Sequence, residues 1–209
     1  LKKDITRGDH TIDIIGFSRG AVLALEFANQ ISAHQKELGV SEIRFIGLFD
    51  TVGSFGVGSK ISHENEGTPA GAGGGWDGEG VKILVLPGSI KIDKASHAVA
   101  LNENRYEFPW NDLVNAHQVG FRGVHSDIGG GYNETGLSNI TLKWMIQEGR
   151  SVGVNFDKTY DNASTSTGMI AHNELGGSIW KFTPGPRVFR KGMLGWTGTK
   201  EVPLESVPI

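Results

Sequence analysis

The 209-residue sequence predicts an α/β domain: a mostly parallel sheet flanked by helices. Three observations carry that prediction. Short apolar runs alternate with amphipathic stretches of helix length, the pattern of strands joined by crossover helices. A glycine-bracketed serine stands where the first strand gives way to the first helix, in "IDIIGFSRGA" (12–21). Two further apolar runs end on residues able to do chemistry, Asp50 and His125.

Four runs read as strands: "TIDIIGF" (11–17), "IRFIGLF" (43–49), "VKILVL" (81–86) and "QVGFRGV" (118–124). Between the first two lies a helix in which Val22, Leu25, Phe27, Ala28 and Ile31 favour one broad face, and Gly39 is its stop. A second helix is predicted over 90–103, with Ser89 as its N-cap, Ile92, Ala95 and Val99 facing inward, and Pro109 beyond its end. A third runs from a Ser138 cap to Gly149. The stretch 63–80 is too glycine-rich to pack as a regular element and reads as a flexible surface loop. Residues 155–178 are polar and read as another loop. After Trp180 four prolines mark a tail, 183–209, that wraps the surface rather than adding a core strand. The whole, 1–209, is read as one domain, a length that can bury a substantial core.

Composition narrows the function classes. The formal charge is −3, with 20 basic against 23 acidic groups, and the charges are interspersed, so nothing points to nucleic acid. The absence of cysteine removes disulfides, thiolate metal sites and a cysteine nucleophile, and leaves the redox compartment open. No run of eighteen apolar residues exists, and "LKKDITRGDH" lacks the apolar centre of a signal peptide. Localisation stays open, the expectation being a cytoplasmic chain or one exported without a cleavable signal.

"GFSRG" fits the G-x-S-x-G elbow, in which the serine stands above the sheet edge at a sharp strand-to-helix turn. The reading requires both Gly16 and Gly20, because a larger side chain at either would collide with backbone. The Arg19 backbone N–H, at the helix start, is the candidate oxyanion donor. A serine hydroxyl needs a base, and the base an orienting carboxylate. In a parallel sheet the C-terminal strand ends share one rim, where ligands bind. That rim receives Ser18, Asp50 and His125, in the chain order of α/β hydrolases. Asp50 could instead cap its own turn, and Asp127 is a rival acid two residues from His125.

Other residues invite weaker readings. A metal site from His125, Asp127 and His117 is conceivable but has no metalloenzyme spacing behind it. His10, His34, His63, His97, His117 and His172 read as surface or satisfied structural histidines. The glycine run 71–75 lacks the G-K-[ST] ending of a phosphate loop. Trp76, Phe55 and the aromatics of "RYEFPW" (105–110) are candidates for an apolar acyl pocket or for ordinary core.

The chain resembles a bacterial family of α/β hydrolases, long catalogued as a domain of unknown function, that includes phospholipase effectors delivered by type VI secretion. The resemblance rests on "GFSRGA" (16–21), "IGLFDTVGSFG" (46–56), "HAVALNENRYEFPW" (97–110), "GVHSDIGGGY" (123–132), "LSNITLKWMI" (137–146) and "AHNELGGSIWKF" (171–182). It implies Ser18 as nucleophile, Asp50 as acid and His125 as base, and a lipid-type carboxylic ester as substrate. The family usually has an aspartate where this chain has Asn102. Related proteins also carry several strands before the elbow, where only ten residues precede strand 11–17 here. The expectation is thus an α/β-hydrolase-like sheet lacking the usual N-terminal strands, either because the chain is truncated at its start or because self-association or a partner chain completes the sheet. An upstream loop normally supplies a second oxyanion donor, whose loss costs roughly 10²–10³ in turnover.

The expected function is a serine hydrolase of carboxylic esters, lipid or phospholipid acyl esters in particular, working through an acyl-enzyme. It needs no metal or organic cofactor and allows peripheral membrane contact. The alternatives are a degenerate hydrolase fold kept as an interaction module, and an amide hydrolase with the same three residues.

Overall fold

Parallel strands stacked by crossover helices generate the central sheet seen in the computed structural model, which describes residues 10–52, 85–105, 108, 110–165, 168–173, 189–191 and 205–206. Strand β1 (Asp13–Phe17) leads into helix α1 (Arg19–Ala33), a short helix α2 (Gln35–Leu38) and strand β2 (Glu42–Phe49). Strands β3 (Lys91–Ala100), β4 (Trp110–Asp112) and β5 (His117–Phe121) follow, then helices α3 (His125–Gly129) and α4 (Gly136–Arg150). A 3₁₀ turn covers Lys158–Asn162, and strands β6 (Phe189–Lys191) and β7 (Glu205–Ser206) come last. The main sheet has the order β1-β2-β3-β5-β7, every pair parallel, and β4 pairs with β6 in a second small sheet. Among the described residues β1 is one edge of the main sheet.

The sheet is covered on both faces, as its apolar strands require. One core cluster joins Ala21, Leu25, Ala28 and Ile31 of α1 to Ile14, Ile46 and Leu48 of the sheet. The other joins Met145 of α4 and Ile128 of α3 to Phe45, Ala98, Val119 and Phe121. Phe27 departs from the expected inward face: it is 45% exposed, and Leu23, one turn before it, is 55% exposed. The buried stripe of α1 is narrower than its apolar composition, because only one side of the helix meets the sheet. The helix breaks at His34, and Gly39 then closes α2 in the left-handed region with φ 67°, where glycine carries no Cβ penalty.

The structure corrects four expectations about the elements. Residues 91–100 form strand β3, not a helix. It lies between β2 and β5, and its second half is buried throughout, so the alternation that marks a half-buried strand disappears. The spacing of Ile92, Ala95 and Val99 then imitates a helical face. The run expected over 118–124 is a strand only to Phe121, and His125 opens α3 instead of ending a strand. Helix α4 begins at Gly136 behind Thr135, and Ser138 donates its hydroxyl back to the Thr135 carbonyl at 3.1 Å rather than capping the helix. The tail contributes two strand segments, β7 extending the ladder beyond β5, whose outer N–H and C=O groups otherwise lack partners. Of the strand expected at 81–86, residues 81–84 lie outside the described residues and 85–86 are not strand. The glycine-rich loop 63–80, His63, Phe55 and Trp76 also lie outside them, as does most of the tail.

The turn from β1 to α1 depends on one of its two glycines. A Cβ on Gly16 would stand 2.5 Å from the Gly20 carbonyl oxygen and 2.7 Å from the Ala21 Cα, both backbone atoms that cannot move aside. A Cβ on Gly20 meets no described atom within 4 Å, so the steric demand placed on that position by the sequence reading is not found there. Gly16→Ala is therefore expected to destabilise the chain by about 1–3 kcal/mol in denaturant melts, while Gly20→Ala is expected to stay within about 0.5 kcal/mol of the parent. Equal effects of the two would show that the turn is not packed as described.

Candidate active site

Three elements deliver the candidate residues to one rim. Ser18 follows β1, Asp50 follows β2, and His125 opens α3 four residues after β5. The register explains their proximity: Phe17 lies beside Phe49, Phe49 beside Ala98, and Ala100 beside Phe121, so the strands finish nearly level.

Ser18 occupies φ 59°, ψ −125°, a conformation costly for a residue with a Cβ. The surrounding backbone holds it there. The Ser18 N–H donates to the Phe49 carbonyl at 2.9 Å, and the Ser18 carbonyl accepts from Ala21 N–H at 3.1 Å and Val52 N–H at 3.4 Å. Arg19 is the first residue of α1, and a backbone N–H at that position has no acceptor within its own helix.

Asp50 is also left-handed, with φ 41°, and fully buried. Its N–H donates to the Ala98 carbonyl at 2.7 Å, and its Oδ1 accepts from Ala100 N–H at 2.9 Å. Backbone and side chain are thus both anchored on the end of β3, leaving Oδ2 directed at His125. The His125 ring bridges the other two residues: Nδ1 is 2.7 Å from Asp50 Oδ2, and Nε2 is 2.7 Å from Ser18 Oγ. A carboxylate can only accept, so Nδ1 carries the proton and Nε2 is left to accept from the hydroxyl. Phe17 lies 4.6 Å and Phe108 5.0 Å from the ring, centroid to centroid, walling the imidazole with apolar surface.

Asp127 takes no part in this chain of hydrogen bonds. Its Oδ2 accepts from Val124 N–H at 2.9 Å, capping α3, and from His172 N–H at 3.1 Å. Its Oδ1 lies 2.7 Å from His172 Nδ1. His117 lies at the start of β5, 2.7 Å from Glu148. The candidate metal set of His125, Asp127 and His117 is therefore not assembled, and no metal-binding group of three occurs among the described residues. His97 is buried between the Thr51 N–H, which donates to its Nε2, and Gln118 Oε1, which accepts from its Nδ1. His34 is exposed, its Nδ1 2.9 Å from the Gln30 carbonyl oxygen. Asn102 accepts the Gly123 N–H on its Oδ1 at 2.8 Å, a task an aspartate oxygen would perform equally well.

Sequence reasoning missed the pair behind His125. Glu103 and Arg105 are buried, and Glu103 Oε2 accepts the His125 N–H at 3.1 Å. The only signal was their placement two residues apart inside "NENR", and two charged residues beside a turn ordinarily mean solvent.

The solved structures similar to this chain include the following two. One is the Tle1 effector bound to the VgrG spike from the type VI secretion system, 34% identical over 59% of this chain and 25% of that one, with a TM-score of 0.39. The other is an uncharacterized protein from Pseudomonas aeruginosa, 22% identical over 76% of this chain and 27% of that one, with a TM-score of 0.51, a likeness of fold. The chain spans about a quarter of the length of each. No curated protein matches it. The family model for the catalytic domain of type VI secretion phospholipase effectors of the Tle1-like kind matches residues 26–148, well over half of the chain and inclusive of Asp50 and His125. The chain belongs to that family of catalytic domains.

Proposed function

We propose that the chain is the catalytic domain of a serine hydrolase that cleaves lipid acyl esters, phospholipids among them, through an acyl-enzyme. The carrying observation is the unbroken run from Ser18 Oγ to His125 Nε2 and from His125 Nδ1 to Asp50 Oδ2, each step 2.7 Å. The Ser18 oxygen attacks the ester carbonyl carbon while His125 Nε2 takes its proton, and Asp50 stabilises the imidazolium and holds its orientation. The negative charge that develops on the carbonyl oxygen is met by the Arg19 N–H at the N-terminus of α1. His125 then returns the proton to the departing alcohol. Water, activated by the same nitrogen, releases the acid and regenerates the serine.

The substrate class rests on family membership and on the apolar surroundings of the ring. Phe17 and Phe108 suit an acyl chain better than a charged group. No helix among the described residues is long and apolar enough to cross a membrane, and the contact proposed with a lipid substrate is peripheral. Type VI delivery likewise comes from the family. The same catalytic residues could cleave an amide, and matched ester and amide substrates separate the two.

A fluorophosphonate probe is expected to label the wild-type chain and not Ser18→Ala. A folded wild type that stays unlabelled would remove the reading and leave an inert fold serving as an interaction module. Asp50→Asn is expected to lower kcat on a nitrophenyl ester by about 10⁴, because the amide no longer selects the tautomer with Nε2 free. Wild-type turnover in that variant would return Asp127 to consideration as the acid.

A further inference from the structure

Glu103 is 1% exposed and Arg105 is 5% exposed, yet neither takes part in the chemistry proposed above. Each oxygen of Glu103 accepts two hydrogen bonds. Oε1 takes the Arg105 backbone N–H at 2.8 Å and Arg105 Nε at 2.9 Å, while Oε2 takes Arg105 Nη2 at 2.7 Å and the His125 N–H at 3.1 Å. Burial pushes the Glu103 carboxyl up, but the guanidinium and the two backbone donors outweigh it and hold the group below its usual range. The Arg105 guanidinium also lies 3.6 Å from the centre of the Phe108 ring, the same ring that meets His125 edge-on. The pair therefore reaches His125 by two routes, through its N–H and through the aromatic beside its imidazole.

Buried ion pairs contribute little net stability, since removing both charges from water offsets their attraction. A fully satisfied one placed directly behind a proposed base needs another reason. His125 is the first residue of a five-residue helix, too short to fix its own direction by hydrogen bonding. The Asp127 cap on Val124 holds the turn of that helix, and the Glu103 contact holds the His125 backbone itself.

We infer that Glu103 and Arg105 are positioning residues that hold the backbone and ring of His125 so that Nε2 stays within reach of Ser18 Oγ, an inference that rests on the reading of His125 as the general base. Among the described residues the charged and titratable groups around His125 are Asp50 at Nδ1, Glu103 at the backbone N–H, Arg105 paired with Glu103, and Asp127 paired with His172. Glu103→Gln takes a negative charge from behind His125 and so disfavours the imidazolium, whereas Arg105→Met takes a positive charge away and favours it.

The test compares the full wild-type chain with Glu103→Gln, Arg105→Met and Arg105→Lys, using a nitrophenyl ester for kcat, KM and the pH–rate profile, with thermal midpoints alongside. All three are expected to lose about ten- to a hundredfold in kcat with KM within about twofold. The acid limb of the profile is expected to move to lower pH in Glu103→Gln and to higher pH in Arg105→Met. Arg105→Lys, which keeps the charge and loses the planar fork, is expected to lower kcat and leave the limb in place. Limbs that stay put while only the thermal midpoint falls would make the pair a structural tie and overturn the inference. If the first two variants fail to fold, Arg105→Lys decides: wild-type kcat overturns the inference, and a reduced kcat with an unmoved midpoint supports it. Fluorophosphonate capture of the wild-type chain tests the Ser18–His125 reading separately, so capture alongside unaffected variants would sink the positioning role alone.

Discussion

A buried carboxylate must find donors for both oxygens, and Asp50 finds them on two different elements. One oxygen is met by the Ala100 N–H at the end of β3 and the other by the His125 ring at the head of α3. The backbone contact is the constraint on which the rest of the site depends. It joins the end of β2 to the end of β3, fixes the direction of Oδ2, and so fixes where an imidazole must come to meet it. The strain at Asp50 (φ 41°) and Ser18 (φ 59°) is carried by the same surroundings. Ser18 hangs on the Phe49 carbonyl, one residue before Asp50, so the two strained residues brace one another across adjacent strands. Strain of this kind persists only where neighbouring structure over-determines it.

Polar satisfaction continues beneath the rim. Thr51, the residue after Asp50, donates its N–H to His97 Nε2, and His97 Nδ1 donates a hydrogen bond to Gln118 Oε1. Gln118 in turn accepts from Leu113 N–H and donates to Asp112. This run crosses β3 and β5 in the interior, where an unmade hydrogen bond costs more than it would at the surface. It ties the segment after Asp50 to the two strands whose ends define the rim. His97 is thus a buried structural histidine, as its scattered position in the sequence led one to expect, though its neighbours were not foreseeable without the register of β3.

What was legible in the sequence follows from which signals are local. The elbow is local: an apolar strand, a serine between glycines and a small-residue helix start sit within ten residues. The placement of Asp50 and His125 came from a general property of parallel sheets, whose strand ends share a rim, and it survived an error about where the last strand stops. Strand β3 was not legible, because a central strand buried on both faces has no alternation to show, and Ile92, Ala95 and Val99 happen to fall at helical intervals. The exposure of Phe27 was hidden for a related reason. Composition reveals that a helix is apolar but not how much of its circumference the sheet will cover. The stretch 63–80, the most distinctive by composition, lies outside the described residues.

Glu103 and Arg105 show the deeper limit. Charged residues beside a turn belong to the surface by default, and nothing in "NENR" distinguishes a solvated pair from a buried one. Their role comes from a need that arises only in three dimensions. The helix carrying His125 is one turn long, and a histidine that accepts a hydrogen bond from one residue while donating one to another has little tolerance for rotation about its own backbone. Asp50 fixes the ring at one nitrogen, which leaves the ring free to pivot about that contact. A second anchor on the backbone removes the pivot. Glu103 can serve as that anchor only if its own charge is balanced, and Arg105 supplies the balance while stacking on the aromatic beside the ring. The chemistry proposed for Ser18 would need three residues, but holding the middle one still engages at least three more, Glu103, Arg105 and Phe108.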